Sequence, residues 1–329
     1  MTRVSFTKAF ARACARRTSI VNASDLSAYR LFDGAGDGIP GVYVDRYGPG
    51  AVLIVHDDSG WNDAVVSDAA RAVLDTLAPT GLEAVYVKQF IRDRSRLGGR
   101  VPAEATSPTP HAGVAQPETL IVEERGVRYE VRLYDGFSTG LFLDHRDHRR
   151  ALAQRGAGRV LNLFAYTCAF SVPLAASGAH VTNVDVSARY LEWGRRNHAL
   201  NGLESAPVRY ARMDSVAYLN YAARHADERF DLVILDPPTF GAGDSRRGTR
   251  PWKATTGYPT LLAAAARALS PTGRIFAATN TRELADGGTL RRLVESSLGQ
   301  VRWEPLPPWP VDVREHGRVA AVLFRPRPG

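Results

Sequence analysis

The sequence predicts an α/β protein: a parallel, doubly wound sheet in its second half, preceded by a smaller α+β domain. Three observations carry the prediction. From about residue 144, short apolar runs alternate with stretches of helical periodicity, the pattern of parallel strands joined by crossover helices. Four of those runs lead to a polar residue at a turn: Asn162, Asp185, Asp214 and Asp236. The first 140 residues instead pair short strand-like runs across glycine-containing turns.

Taken in order, residues 1–23 form a basic N-terminal segment. It lacks a continuous apolar stretch, which reads as a frayed start or a short basic helix and not as a secretory signal. A small α+β domain is expected over 24–138. It opens with a turn-rich entry at 28–41, then strands at 42–47 and 51–56, a helix at 61–77 and a strand at 84–88. Residues 98–118 are rich in Gly, Pro, Ala, Ser and Thr and read as a flexible loop. A hairpin follows at 120–122 and 127–133. The second domain, 139–329, alternates helices at 147–155, 169–177, 187–200, 215–224, 258–269 and 288–298 with strands at 159–164, 180–185, 208–211, 230–235 and 274–279. Two late strands near 301–303 and 319–324 complete it.

With 329 residues, 44% hydrophobic and 23% charged, the composition is that of a globular chain of two domains. No apolar run reaches membrane-spanning length. Two cysteines, Cys14 and Cys168, make neither a disulfide framework nor a metal site, so a cytoplasmic protein without metal is expected. The net charge is +8, and lysine occurs only at positions 8, 88 and 253. Arginine-rich codon usage accounts for the bias toward Arg but not for the sign, which fits a polyanionic partner.

The most informative stretch is 230–240, Phe-Asp-Leu-Val-Ile-Leu-Asp-Pro-Pro-Thr-Phe. It reads as a buried strand that stops in a rigid loop, and ligands of open α/β sheets sit at such carboxyl ends. Taken singly, Asp185 before Ser187 and Asp214 before Ser215 read as helix N-caps. Polar groups at four successive strand ends read instead as a nucleoside-cofactor site. Asp185 is placed for two ribose hydroxyls and Asp214 for an adenine amino group. The first turn, 162–171, contains no glycine.

These motifs belong together. Residues 140–146 (Gly-Leu-Phe-Leu-Asp-His-Arg), 160–167 (Val-Leu-Asn-Leu-Phe-Ala-Tyr-Thr), 184–187 (Val-Asp-Val-Ser), 190–197, 200–203 and the strand with Asp-Pro-Pro resemble bacterial class I S-adenosylmethionine-dependent 23S ribosomal RNA base methyltransferases. The guanine-N7 half of the fused 23S enzyme is the most similar, and the cytosine-5 enzymes are near relatives. The resemblance covers 127–285 well and 28–100 weakly. It implies a Rossmann-like, seven-stranded sheet with the last strand antiparallel, and S-adenosylmethionine as cofactor. It also implies ribosomal RNA or a ribosomal subunit precursor as partner, with no membrane, and leaves the oligomeric state open. By this resemblance the turn Asn162, Phe164, Tyr166 and Thr167 would wrap the methionine part of the cofactor. Asp185 with Val186 would hold the ribose, and Asp214 with Ser215 the adenine. Asp144 and Arg146 would close over the cofactor, or form a local ion pair. Asp236, Pro237, Pro238 and Phe240 would line the methyl-transfer site, with Asn280 on the base edge.

The chemistry narrows through Asn280. Cytosine-5 methylation needs a thiolate nucleophile, and the resemblance puts that Cys where this chain has Asn280. Guanine N7 already carries a nucleophilic lone pair and needs placement and desolvation only. Alternatives are methylation of an exocyclic amine with Asp236 as acceptor, a small-molecule methyltransferase, or a catalytically silent RNA-binding factor. The chain departs from the family at Cys168, where the relatives carry glycine. Trp252 is either a stacking surface or core. RNA affinity would rest on Arg92, Arg94, Arg96 and Arg100, and on Arg246, Arg247, Arg250 and Lys253.

Overall fold

Phe6, Phe10 and Ala13 lie at helical spacing, and the basic N-terminus that carries them is a core helix, with all three side chains at most 1% exposed. The structure is a computed structural model; it describes residues 3–91, 101–225, 228–241, 243, 251–286, 288–315 and 317–327. The chain divides into two units, residues 1–146 with 309–316, and residues 147–308 with 317–329.

In the first unit, helix α1 (Arg3–Arg16) and the short α2 (Thr18–Val21) precede a five-stranded sheet. Its strands run in the order β1 (Ala28–Asp33), β2 (Val42–Tyr47), β3 (Gly50–His56), β4 (Ala84–Phe90) and β5 (Ala112–Gly113). The first three are antiparallel; α3 (Asp63–Leu77), capped by Asn62, crosses over to make β4 parallel to β3. A hairpin of β6 (Leu120–Glu124) and β7 (Val127–Val131) turns at Arg125 and Gly126, both at positive φ. Two expectations are corrected here. Residues 28–33 form a strand whose alternation was masked by the glycines that follow. The described part of 98–118 is a helical turn at Ala103–Thr106 and the edge strand β5, with Gln116 buried and its backbone N–H on the Tyr86 hydroxyl. Buried ion pairs hold parts of this unit: Arg17 forks onto Asp37 at 3.2 and 2.5 Å, and Arg30 onto Asp45 at 2.7 and 3.1 Å. Lys88 is 1% exposed and donates to the Ser138 carbonyl.

In the second unit, α4 (Arg146–Arg155) leads into β8 (Arg159–Leu163), α5 (Ser171–Ala176), β9 (His180–Asp185) and α6 (Ala188–Ala199). Then come β10 (Val208–Arg212), α7 (Ser215–Ala223), β11 (Phe230–Leu235), the two-residue pair β12 (Phe240–Gly241) and β13 (Trp252–Lys253), and α8 (Ala254–Arg267). The chain closes with β14 (Leu269–Thr279), α9 (Arg282–Ala285), α10 (Thr289–Leu298), β15 (Val301–Glu304) and β16 (Ala320–Pro326). The sheet order is β10-β9-β8-β11-β14-β16-β15, parallel except for β16, which is antiparallel to both neighbours. This is the predicted seven-stranded sheet with its last strand reversed. Strand parity divides the core. Leu161, Leu163, Val233 and Leu235 face α7, α8 and α10, while Val160, Leu232 and Ile234 face α4 and α5. Among the described residues no helix is long and apolar enough to cross a membrane.

The domain boundaries differ from expectation. The N-terminal segment is built into the first unit, and so are residues 139–146 and 309–316. Asp312 explains the last: within that unit its carboxylate takes the Arg146 fork at 3.1 and 2.5 Å and the Arg30 backbone N–H at 2.9 Å. Ion pairing at a sequence separation of 166 leaves no local signal.

Candidate active site

The β8 strand ends in a turn where Phe164, Tyr166 and Cys168 all have positive φ, 53°, 48° and 62°. For residues with a Cβ this conformation costs about 1–2 kcal/mol each, so the surroundings must impose it. Four hydrogen bonds do. Ala165 N–H donates to Val184 O at 3.0 Å and Cys168 N–H to Ala165 O at 2.7 Å. Tyr166 N–H donates to Asp185 Oδ2 at 2.9 Å, and the Asn197 amide to Thr167 O at 2.9 Å. Strain of this kind concentrates at functional sites.

Asp185 is therefore not a helix cap. Ser187 caps α6 through Tyr190 N–H, while Asp185 joins two loops, Oδ2 on Tyr166 and Oδ1 on Ser187 N–H at 2.8 Å. Burial raises its carboxyl above the usual range, against the pull of the Ser187, Tyr166 and Val186 N–H groups. Asp214 does cap α7, accepting from Ala217 N–H at 2.9 Å. One carboxylate oxygen suffices for that. Between the two acids stand Val186 and Met213, 46% and 40% exposed at the ends of adjacent strands. Apolar side chains left in water at polar strand ends suit the faces of a planar ring. Met213 was not among the sequence candidates; its position directly before Asp214 was the available signal.

Three expected cofactor residues have no side-chain surface to offer. Asn162 is 2% exposed and spends its amide on Asn183, which bonds Ser171, which bonds His198. Strand parity turns it away from Leu161 and Leu163, into this buried network. Thr167 is 0% and Ser215 4% exposed, and the Thr167 carbonyl is taken by the Asn197 amide. Arg146 is committed to Asp312 in the first unit, an ion pair 166 residues apart and not the local one expected; Asp144 lies beside it in sequence, with Oδ1 buried and lacking a hydrogen-bond donor. Cys168 does not crowd the turn's outer surface. It is fully buried, and a Cβ on Gly194 of α6 would lie 2.3 Å from its Sγ, so the missing side chain of Gly194 makes its room.

At the end of β11 the Asp236-Pro-Pro loop is held from below. Trp252 Nε1 donates to Pro238 O at 2.8 Å, and Ala254 N–H to Thr239 O at 3.0 Å. The buried Tyr258 hydroxyl donates to Ala278 O at 2.7 Å, under the ends of β11 and β14. Trp252 also packs on Phe164, centroids 5.5 Å apart, so it is a partly buried brace and not a stacking surface. Pro237 is buried, Pro238 exposed, and Phe240 presents its ring with 68% exposure. Across from the loop, exposed Asn280 accepts from Thr239 Oγ1 at 3.0 Å. Lys253 pairs with Phe240 in the β12–β13 ladder; the other predicted arginines, Arg92, Arg94, Arg96, Arg100, Arg246, Arg247 and Arg250, lie outside the described residues. Both thiols are disfavoured as thiolates. Cys14 packs, partly buried, against the first unit's core, where burial pushes it up to about 11, and burial also raises Cys168 well above its usual range. No group of His, Cys, Asp or Glu among the described residues could hold a metal.

A family model of S-adenosylmethionine-dependent methyltransferases matches residues 108–325. The chain belongs to this methyltransferase family. S-adenosylmethionine is its cofactor; by the chemistry of their exposed groups, Asp185 would take ribose hydroxyls, Val186 and Met213 the ring faces and Asp214 the ring edge. Among curated relatives, ribosomal RNA large subunit methyltransferase YwbD of Bacillus subtilis, so designated provisionally, is 35% identical over 84% of this chain and 66% of its own length. Ribosomal RNA large subunit methyltransferase I of Shewanella denitrificans is 32% identical over 82% of this chain and 64% of its own. Methyltransferase K/L of Pseudoalteromonas translucida is 33% identical over 79% of this chain and 35% of its own. The chain thus spans between about one third and just under two thirds of the length of these relatives. Among solved structures, SMU.776, provisionally designated a methyltransferase and determined with S-adenosylhomocysteine, aligns with 98% of this chain and 82% of its own. Its TM-score is 0.82 at 27% identity.

Proposed function

We propose that this methyltransferase modifies a base of large-subunit ribosomal RNA, at guanine N7. The reading rests on the end of β14, where Asn280 stands beside the braced Asp236-Pro-Pro loop, while Cys168 is buried in the cofactor turn and Cys14 packs, partly buried, against the first unit's core. This arrangement argues against chemistry that begins with a covalent thiolate. Chemistry that needs a positioned lone pair is open. The exposed Phe240 ring offers a stacking face for a base taken out of a helix. The formal charge of +8 supports a phosphate-rich substrate, as do the names of the relatives.

S-adenosylmethionine supplies a methyl group on a sulfonium, whose C–S bond breaks onto sulfur as the N–C bond forms. No proton leaves N7, so the protein needs no general base at that atom. Its task is placement: Phe240 against the ring, Asn280 at the edge, and the rigid prolines holding Asp236 at the strand end. The test is transfer of tritiated methyl from S-adenosylmethionine to ribosomal RNA, naked and in subunits, from a strain lacking the gene, followed by nucleoside analysis. Label in 7-methylguanosine is expected. Asp185→Asn and Asp236→Asn should each lower it by about tenfold or more while the circular dichroism spectrum is kept. Label in a methylated exocyclic amine, or none in RNA with cofactor binding intact, would overturn the proposal.

A further inference from the structure

Asn280 sits between two buried threonines at the end of β14: Thr279 and Thr281 are each 1% exposed. Three hydroxyl and amide groups are in line. Thr281 Oγ1 lies 3.2 Å from Thr239 Oγ1, which lies 3.0 Å from the Asn280 side-chain oxygen. Such a chain can run in two directions. In one, Thr281 donates to Thr239 and Thr239 to the Asn280 carbonyl. In the other, the Asn280 amide is flipped, donates to Thr239, and Thr239 donates to Thr281.

The buried end decides between them. In the second direction the Thr281 hydroxyl proton would have no acceptor among the described residues, although the group is sealed from water. Leaving a buried donor unmade costs about 1–3 kcal/mol. In the first direction every hydroxyl proton is used and the amide oxygen is satisfied. The Thr239 backbone cannot drift away, because its carbonyl takes the Ala254 N–H and the preceding carbonyl takes the Trp252 indole. We infer that the Thr281–Thr239–Asn280 relay locks the Asn280 amide with its NH2 group outward, so that the site selects a base carrying a carbonyl at the reacting edge. This rests on the proposed action on an RNA base.

The selection follows from base chemistry. Guanine presents O6 as an acceptor beside N7, whereas adenine presents an amine beside N7 and cytosine an amine at N4. An outward NH2 pairs with O6 and leaves the N7 lone pair for the methyl group. It meets the amines of adenine and cytosine donor to donor. Thr239, which in the sequence merely separates proline from the aromatic ring, is thereby a positioning residue for specificity, and Thr281 another.

The test compares two RNAs, joined by ligation so that the labelled position carries either guanine or 2-aminopurine, which keeps N7 and lacks O6. The wild type should prefer guanine by about tenfold or more in kcat/KM. Asn280→Ala, at an exposed position, should bring that preference close to one, and Thr281→Val should shrink it with S-adenosylmethionine affinity unchanged. Equal use of both RNAs by the wild type would overturn the relay, as would an undiminished preference in both variants. A wild type that labels no guanine at all would instead overturn the proposed function, and this inference with it.

Discussion

Cys168 and Gly194 form a pair that can be exchanged. An ideal Cβ on Gly194 would lie 2.3 Å from Cys168 Sγ and 2.9 Å from its Cβ, well inside the contact distance of about 3.5–4.0 Å. The sulfur has one rotor, no exposure and a backbone fixed at φ 62°, so it cannot move aside. Gly194→Ala removes a helical glycine, which gains about 1 kcal/mol, and overpacks the turn, which costs about 1–3 kcal/mol. A net loss of about 1 kcal/mol is expected, with weaker S-adenosylmethionine binding because the displaced residues lie in the turn that Asp185 holds. Cys168→Gly loses about 1–2 kcal/mol of buried side chain and recovers about 1 kcal/mol from the left-handed backbone. In the double variant the alanine methyl fills the space the thiol left. Its stability should come within about 0.5 kcal/mol of the wild type, a coupling of about 1–2 kcal/mol. Denaturant unfolding of the four proteins, with calorimetric titration of S-adenosylmethionine, completes the cycle. If Gly194→Ala matched the wild type in both measurements, or if the double variant showed only the sum of the two losses, the packing argument would be wrong.

Two further outcomes follow from groups outside the transfer site. Burial pulls Lys88 down to about 7 from 10.5, with Asp135 and Asp45 pulling the other way. Above that value the folded chain has released a proton that the unfolded chain still holds. Stability should therefore rise with pH from about 7, by at most about 1.4 kcal/mol per unit, until Cys14 begins to oppose it near its ordinary value of 9.0; Lys88→Met should flatten the rise, and a variant whose curve parallels the wild type would refute the assignment. Trp252→Phe keeps an aromatic ring near Phe164 but removes the donor to Pro238 O. Methyl transfer should fall with cofactor affinity nearly unchanged and stability lowered by about 1 kcal/mol, whereas an equal drop in cofactor affinity would move the brace's role to the cofactor turn.

Much of the second unit was legible because parallel strands announce themselves by composition and spacing. The apolar runs at 160–163 and 232–235 carry two faces at once, and the aspartates mark where each strand stops. The first unit was harder. Its opening strand, Ala28–Asp33, was hidden by the glycines that follow, and its N-terminal helix read as a frayed start or a short basic helix because only four of its positions, Phe6, Ala9, Phe10 and Ala13, carry the buried stripe. Residues 309–316 could not be assigned to it at all, since Asp312 and Glu315 tie them to Arg146, Asp33 and Tyr43, all far away in sequence.

Within the site, position along a strand was readable and direction was not always used. Asp185 and Asp214 stand at or just past the ends of their strands, whereas Leu161 and Leu163 on either side of Asn162 fix it to the opposite face. Parity alone would have put it with Asn183. The converse holds for Thr239 and Thr281. Nothing in a single sequence says that two hydroxyls 42 residues apart are in hydrogen-bonding range, and a threonine between proline and phenylalanine looks like a flaw in a motif. Only the fold shows that its hydroxyl has one acceptor to give to and one donor to receive from. The residue that weakened the motif is the one that orients Asn280, so a departure from pattern at a strand end is better read by asking what its side chain reaches than by counting it against the match.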